Sequence, residues 1–560
     1  MIFGAHRLRF ESVTTFIEAR PGLMTALLCA LWMIPGLVGH DPWKPEEAAI
    51  FGVVHQLMQG GDWLVPTLAG EPFLRHPPLY YLSAAAFGTV LSPLFSPHDA
   101  ARLVNVLFGG LTFWLMAGTA RLARPPEATP DASWVAPMLL LGCVGLLLPA
   151  HQIVPDNGLV TAFALGAWAL TRSIGRPVAG GVALGGAIGL AFLTHGVGGA
   201  AMLAITSALM PTVSASHRTR RYLLTLVVAL LVALPLVAAW PLALHARDPG
   251  LFSEWLYGNE LGRLIGLGRL AADRDSPFYY LGVLPWFAFP ALPFAAWSLY
   301  AGRKVLSTPA YAVPLLLFGV ALAVSSVAHD SRELYALPML VPLALLAVPG
   351  VAQLRRSPAY LFFWFSITFF VFFIAVVWFY WMAVDLGFPV RVARHMDDME
   401  PGYTPVLSVP LMLIAAGFTI AWVLLMFNVR RSPQRPFVAW ASGATAFVGV
   451  LMTLMVAWAD NAKSYRGMIE SLSASLPADR RCIASLSLGE SQRALLDYFA
   501  GVTTLRYEAS GSASTCDLLL TQGNTDGSGA MTSPWQLLWQ GNRPGDRRER
   551  YRLYRRAPTT

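Results

Sequence analysis

HDPWKPEEAAIFGVVHQLMQGGDWLVPTLAGEPFLRHPPLYY, residues 40–81, follows directly on the apolar run 22–39. It is the first place where acids, bases and aromatics collect beside a hydrophobic segment. Asp41, Glu46 and Glu47 stand at its start, and Arg75 and His76 precede the Pro77-Pro78 pair. A carboxylate cluster and a basic cluster on one loop at a membrane surface can handle a proton and a phosphate.

Working outward, the rest of the chain is mostly hydrocarbon. Of 560 residues, 55% are hydrophobic and 13% are charged, with 18 Trp and 31 Phe. A soluble chain carries about 25% charged residues. Fourteen apolar runs occur, at 22–39, 79–95, 100–123, 133–150, 156–172, 178–193, 197–211, 222–243, 277–301, 309–328, 333–351, 359–384, 404–428 and 436–458. Runs near twenty residues mark transmembrane helices. The segment before residue 22 has no obvious small-residue cleavage site, so the first run reads as a retained helix. The net charge of +8 is scattered through short loops, which fits membrane orientation and anionic lipid rather than nucleic acid.

The basic clusters at Arg121/Arg124, Arg172/Arg176, Arg218/Arg220/Arg221, Arg303/Lys304, Arg355/Arg356 and Arg430/Arg431/Arg435 fall on one side under the positive-inside rule. Every alternate loop then faces outward, and the count becomes thirteen crossings. The short run 79–95, after Pro77-Pro78, is expected to be re-entrant or interfacial. The polar chemistry collects in the outward loops, including 244–276 with Asn259, Glu260 and Arg263, and 385–403. Asn259 and Arg263 are candidate substrate contacts.

After Asp460 the pattern changes. NAKSYRGMIESLSASL has the spacing of an amphipathic helix. CIASLSL, ESQRALLDYFA, TTLRYE and CDLLLTQ read as strand, helix, strand, strand, and WQLLWQ with RYRLYRR as a closing pair. The expected organisation is a membrane domain over 1–460 and a small periplasmic α/β domain over 461–560, covering or supporting the membrane site. Cys29 and Cys143 lie inside apolar runs. Cys482 and Cys516 lie in the polar part, where an oxidising compartment permits a disulfide.

Each candidate residue has a plain structural alternative. Glu46 and Glu47 can open a helix after Pro45, favoured by its dipole. Arg75, Tyr80 and Tyr81 can belong to an interfacial belt. Asp156, in HQIVPDNGL, can be an N-cap. His195 can cap a helix end. HDSRELYALP, residues 329–338, is harder to explain in this way. A turn between two spans needs few polar groups, and this one holds His329, Asp330, Arg332, Glu333 and Tyr335. No HExxH, CxxC, Walker, GxSxG or EF-hand pattern occurs. A divalent metal held by acids and histidines of separate loops stays open, but no spacing asks for one.

Taken together, these pieces resemble the bacterial membrane glycosyltransferases of the GT-C fold, near the protein O-mannosyltransferases and the lipid A aminoarabinose transferase. That family has an acidic pair after the first span, then Gly-Asp-Trp, then Lys-Pro-Pro-Leu-x-Tyr-Trp. Here Gly61-Asp62-Trp63 and Pro66 match, and counting back puts the acidic pair on Glu46-Glu47. Pro77-Pro78-Leu79 with Tyr80 and Tyr81 matches the third piece, with His76 in place of lysine. Arg102 and Asp156 fall where the family has an arginine and a second acid. Thr194-His195-Gly196 stands at a Thr-Lys-Gly-like turn, and Tyr335 and Pro338 match its Tyr-x-x-Pro segment.

The resemblance implies a polytopic α-helical protein of GT-C architecture that takes a sugar from polyprenyl phosphate, with undecaprenyl phosphate the expected carrier. The acceptor would be lipid A, a protein or another envelope glycan, on the periplasmic side of the inner membrane. Glu46 or Asp41 would activate the acceptor, with Glu47 and Asp156 as further candidate acids. Arg75, His76, Arg332, His329 and Tyr335 would meet the donor phosphate. Tyr80, Tyr81, Arg102 and His195, with Asn259 and Arg263, would bind substrate. A phosphate leaving group held by fixed cations needs no nucleotide or metal cofactor. A polytopic transporter or flippase is the alternative from another class. Transporters place ionisable groups near mid-membrane, whereas 222–243, 309–328, 404–428 and 436–458 contain no charged residue and the polar groups gather at the outer ends.

Overall fold

The computed structural model describes residues 20–124, 132–262, 277–351, 353–429, 432–508, 515–523, 535–544, 546 and 549–557. Among them, eight helices are long and apolar enough to cross a membrane, and the protein is a multi-pass membrane protein. They include Pro97–Ala123, Pro177–His195, Arg220–Arg247, Pro309–Val327 and Arg356–Leu386. A ninth forms if Tyr279–Phe287 and Ala291–Ala301, bent by 99°, are one span. The bend falls where Pro285 and Pro290 remove backbone donors.

Beside the thirteen expected crossings, the described residues thus hold eight long helices together with shorter apolar ones. Pro21–Met33, Leu79–Leu91 and Val197–Val213 are shorter apolar helices. The run 133–150 breaks into helix Val135–Leu141 and the single turns Val144–Leu146 and Pro149–His151. Gly142, Gly145 and Pro149 interrupt it. Helix Leu79–Leu91 has 13 residues, short of the ~20 that a crossing needs.

The glycines of helix Pro177–His195, in the stretch GRPVAGGVALGGAIGL, mark close packing. Helix Pro177–His195 lies against Arg220–Arg247. A Cβ on Gly181 would come 2.7 Å from the Thr225 carbonyl, and one on Gly185 would come 2.5 Å from the Ala229 carbonyl. Glycines four apart let two backbones touch along one stripe.

The C-terminal part forms a five-stranded sheet in the order Leu505–Arg506, Ile483–Leu486, Leu518–Gly523, Arg550–Arg556, Trp535–Gly541. The first three strands are parallel and the last two pairings antiparallel. Helix Glu490–Ala500 makes the first parallel crossover. The amphipathic stretch after Asp460 is split at Ser464 into Val456–Lys463 and Arg466–Ala474. Cys482 and Cys516 are joined in a disulfide, which ties the starts of two neighbouring strands.

Helix Glu490–Ala500 lies on helix Glu46–Met58 of the first loop. A Cβ on Gly52 would come 2.4 Å from the Ala494 Cβ. Polar contacts extend this seam. Arg466 holds Asp41, Ser464 donates to Asp41 at 2.6 Å, and Lys44 reaches Glu549 at 2.9 Å. Burial opposes ionisation of Asp41, but its bonds from Arg466 and Ser464 hold its carboxyl below the usual range. Asp460 beside it behaves oppositely: burial and the neighbouring Asp41 charge push it up to about 6.

A raised carboxyl pKa favours folding at low pH and loses that contribution as pH rises through the folded value. Asp460→Asn is therefore expected to gain about 1 kcal/mol relative to wild type between pH 5 and 7. Thermal unfolding of both proteins across that interval checks it. An unchanged difference would show that Asp460 does not titrate there.

Candidate active site

Pro45 precedes helix Glu46–Met58, so Glu46 and Glu47 do open a helix. Successive helical residues point about 100° apart, and here the two neighbours go to different places. Glu46 faces a cavity. Its Oε2 accepts from Arg75 Nη1 at 2.8 Å and its Oε1 from Arg332 Nη1 at 2.6 Å. Arg332 is 286 positions away in sequence. Glu46 thus joins the first loop to the polar turn before the span Glu333–Val351.

That cavity, about 20 Å³, is lined by Glu46, Arg75, His76, Asp156, Arg332 and Tyr335, with apolar walls from Ile50, Val154 and Leu334. A second chamber, about 60 Å³, shares Tyr335 and is lined also by His195, Glu260, Asp330 and Met202. The rings of His76 and His195 lie 4.9 Å apart, and His195 meets Tyr335 edge-on at 5.6 Å. His195 Nε2 stands 3.5 Å from Asp156 Oδ1. Both His195 ring nitrogens and Asp156 Oδ1 are buried without a hydrogen-bond partner within the described residues. Buried polar atoms left so are costly unless something else satisfies them. Here they line the cavities that a polar ligand would enter.

The surroundings hold this geometry. Asp330 accepts from Arg332 Nε at 3.2 Å and from the Tyr335 hydroxyl at 3.0 Å. Arg75 lies over the Phe73 ring at 5.4 Å. Asn259 donates to the Leu74 carbonyl at 3.0 Å, and Trp240 to the Leu64 carbonyl at 3.0 Å. The hairpin Thr67–Leu68/Glu71–Pro72 turns through Ala69 and Gly70, both at positive φ, and brings the chain back toward Arg75.

Several expected residues lie elsewhere. Glu47 and Arg102 are a correction. They form an ion pair at 2.8 Å with no side-chain exposure. Glu47 also accepts from the Trp43 and Ile153 amides. Arg102 bonds Asp99 and the carbonyls of Leu37, His40 and Asp41. Burial opposes the Glu47 charge, yet Arg102 outweighs it and holds that carboxyl below its usual range. This pair braces the loop and leaves no face for substrate.

Asp41 is spent on Arg466 and Ser464 and is absent from the cavity lining. Tyr80 donates to Asn105 and accepts from the Val154 amide, so it anchors the Asp156 turn from below. Tyr81 is buried beside Phe73. Asn259 acts on the backbone of the first loop. His329 does not line either cavity, and Arg263 lies outside the described residues.

Two participants were not singled out as site residues. Asp330 orients Arg332 and Tyr335. Glu490, from the C-terminal helix, accepts from Arg75 Nη2 at 2.6 Å. No local signal marks Glu490, because an acid in the first turn of a helix is ordinary. Among the described residues, no group of three His, Cys, Asp or Glu could hold a metal ion.

No family model matches the chain. It is similar to curated undecaprenyl phosphate-alpha-4-amino-4-deoxy-L-arabinose arabinosyl transferases. Identity is 28% over 363 residues with that of Pectobacterium carotovorum subsp. carotovorum (strain PC1), covering 61% of this chain and 60% of the relative. It is 28% over 348 residues with that of Serratia proteamaculans (strain 568), covering 60% of each. The match thus spans about 60% of the length of these relatives. In three dimensions the chain is similar to ArnT from Cupriavidus metallidurans. The apo crystal structure superposes with a TM-score of 0.68 at 15% identity, covering 97% of this chain and 98% of that one. The structure bound to undecaprenyl phosphate gives 0.66, covering 95% and 97%. The fold is therefore that of ArnT, the GT-C architecture that the sequence motifs imply.

Proposed function

We propose that this chain is a glycosyltransferase of the bacterial inner membrane that works on the periplasmic face. It moves a sugar from polyprenyl phosphate, of the undecaprenyl class named for its relatives, to lipid A, another envelope glycan or a protein. The observation that carries this reading is the Glu46 carboxylate held between Arg75 and Arg332, in a cavity that also contains His76, Asp156 and Tyr335. Cation and carboxylate meet there in the combination that a phosphate leaving group and a hydroxyl or amine acceptor need. Residues 461–560 are read as a periplasmic α/β domain that covers the first loop.

In the proposed reaction the donor phosphate takes over the guanidinium groups of Arg75 and Arg332, with His76, His195 and Tyr335 around it. Glu46, released from the arginines, accepts the acceptor's proton. The acceptor atom forms its bond to the anomeric carbon as the bond from that carbon to the phosphate oxygen breaks, with inversion. The electron pair leaves on polyprenyl phosphate, where fixed cations stabilise it. Asp156, beside His195, orients the sugar hydroxyls.

Purified protein given a labelled undecaprenyl-phosphate sugar and lipid A is expected to transfer the label. Arg332→Met is expected to raise the donor KM about tenfold to a hundredfold, the worth of one charge-assisted hydrogen-bond contact. Wild-type protein that binds no undecaprenyl phosphate would sink the proposal.

A further inference from the structure

Helix Glu490–Ala500 is docked by contacts that do not involve its first residue. Ser491 donates to the Pro45 carbonyl at 2.6 Å, and Gln56 donates to Asp497 at 2.5 Å. Ala494 sits against Gly52. Glu490 is therefore carried to the site by its neighbours. Its carboxylate touches Arg75 and has no other hydrogen-bond partner within the described residues.

Arg75 has holds other than Glu490. Its Nη1 is held by Glu46 at 2.8 Å and its guanidinium lies over Phe73. The two side chains also differ in exposure: 13% for Arg75 and 42% for Glu490. The arginine is thus built in, while the glutamate stands half in solvent. An ion pair with one exposed arm is weak, since water and salt compete for it.

We propose that Glu490 is a placeholder for the donor phosphate. Its carboxylate occupies, on Arg75 Nη2, the position that a phosphate oxygen takes, and it swings into solvent when the donor binds. This rests on the function proposed above. Carboxylate and phosphate oxygens meet a guanidinium in the same way, so one exchanges for the other without moving Arg75. The exchange also sets a threshold. A bare guanidinium beside a membrane attracts the phosphates of bulk anionic lipid. With Glu490 in place, only a phosphate that also reaches Arg332 and the rest of the cavity displaces it. Glu490 is a positioning residue, because it acts through Arg75.

The test measures binding of undecaprenyl phosphate, donor KM and kcat for wild type, Glu490→Gln and Glu490→Asp. Glu490→Gln removes the competing charge. It is expected to tighten binding and lower the donor KM about two- to fivefold, with kcat no higher than wild type. Glu490→Asp keeps the charge but withdraws it by one methylene, and should shift both values the same way by less. Equal or weaker binding in Glu490→Gln would overturn the proposal and make Glu490 a brace for Arg75. If wild type itself fails to bind undecaprenyl phosphate, the functional reading fails first, and that outcome is visible before either variant is compared.

Discussion

Glu46→Gln is expected to lower the rate of sugar transfer by about 10²–10⁴-fold while the chain stays folded, the range that a positioned general base contributes. The glutamine keeps the size of the side chain and can still accept from one arginine. It cannot take a proton from an acceptor or carry the charge that links Arg75 to Arg332. The folded state should survive, since Glu46 is 26% exposed and its ion pairs lie at the edge of the core. Thermal unfolding beside a transfer assay separates the two effects. Asp41→Asn is the matched control. Its carboxylate is engaged with Arg466 and Ser464, so turnover should change by less than about tenfold. If Asp41→Asn stopped transfer and Glu46→Gln did not, the assignment of the acid would be reversed.

Arg102→Met is expected to destabilise the protein by about 3–5 kcal/mol, the cost of leaving a buried charge without its partner. Glu47 would remain with no side-chain exposure beside a methionine. The carbonyls of Leu37 and His40 would lose their donor as well. The loss should appear as a fall in thermal stability and in folded yield, with donor KM unchanged in whatever folded protein remains. Adding Glu47→Gln should recover part of it, because the stranded charge is then gone. A stable Arg102→Met protein with a raised donor KM would instead return Arg102 to the substrate site, as the motif match implies.

These two variants bear on the same pair of adjacent letters. Glu46-Glu47 was legible as an acidic pair near a membrane, and Pro45 announced the helix they open. That Glu46, Arg75, His76, Asp156 and Arg332 fall on one side was also legible, because all five stand in or beside loops that charge placement puts there; that they line one cavity is visible only in three dimensions. The division of labour between the two glutamates was not. Nor was the loss of Asp41 to Arg466, since that partner is 425 positions away. Tyr80 illustrates the same limit. An aromatic after Pro-Pro fits an interfacial belt, yet its hydroxyl is bonded to Asn105, and nothing near it in sequence indicates that. The breaks within apolar runs have a local cause instead. Hydropathy averages over a window, so the run at 133–150 reads as continuous although glycine and proline interrupt its helix.

The sequence by itself determined a many-pass membrane chain, the loops in which its polar residues collect, and a strand-helix-strand part after Asp460. Apolar run length, charge bias and residue alternation are additive over short windows, and that makes them readable one segment at a time. The tertiary structure decided which acid of a neighbouring pair meets the cavity, which arginine is a brace, and that Glu490 stands on Arg75. Those outcomes depend on the rotation of one helix by about 100° per residue and on partners hundreds of positions away. No short window contains that information.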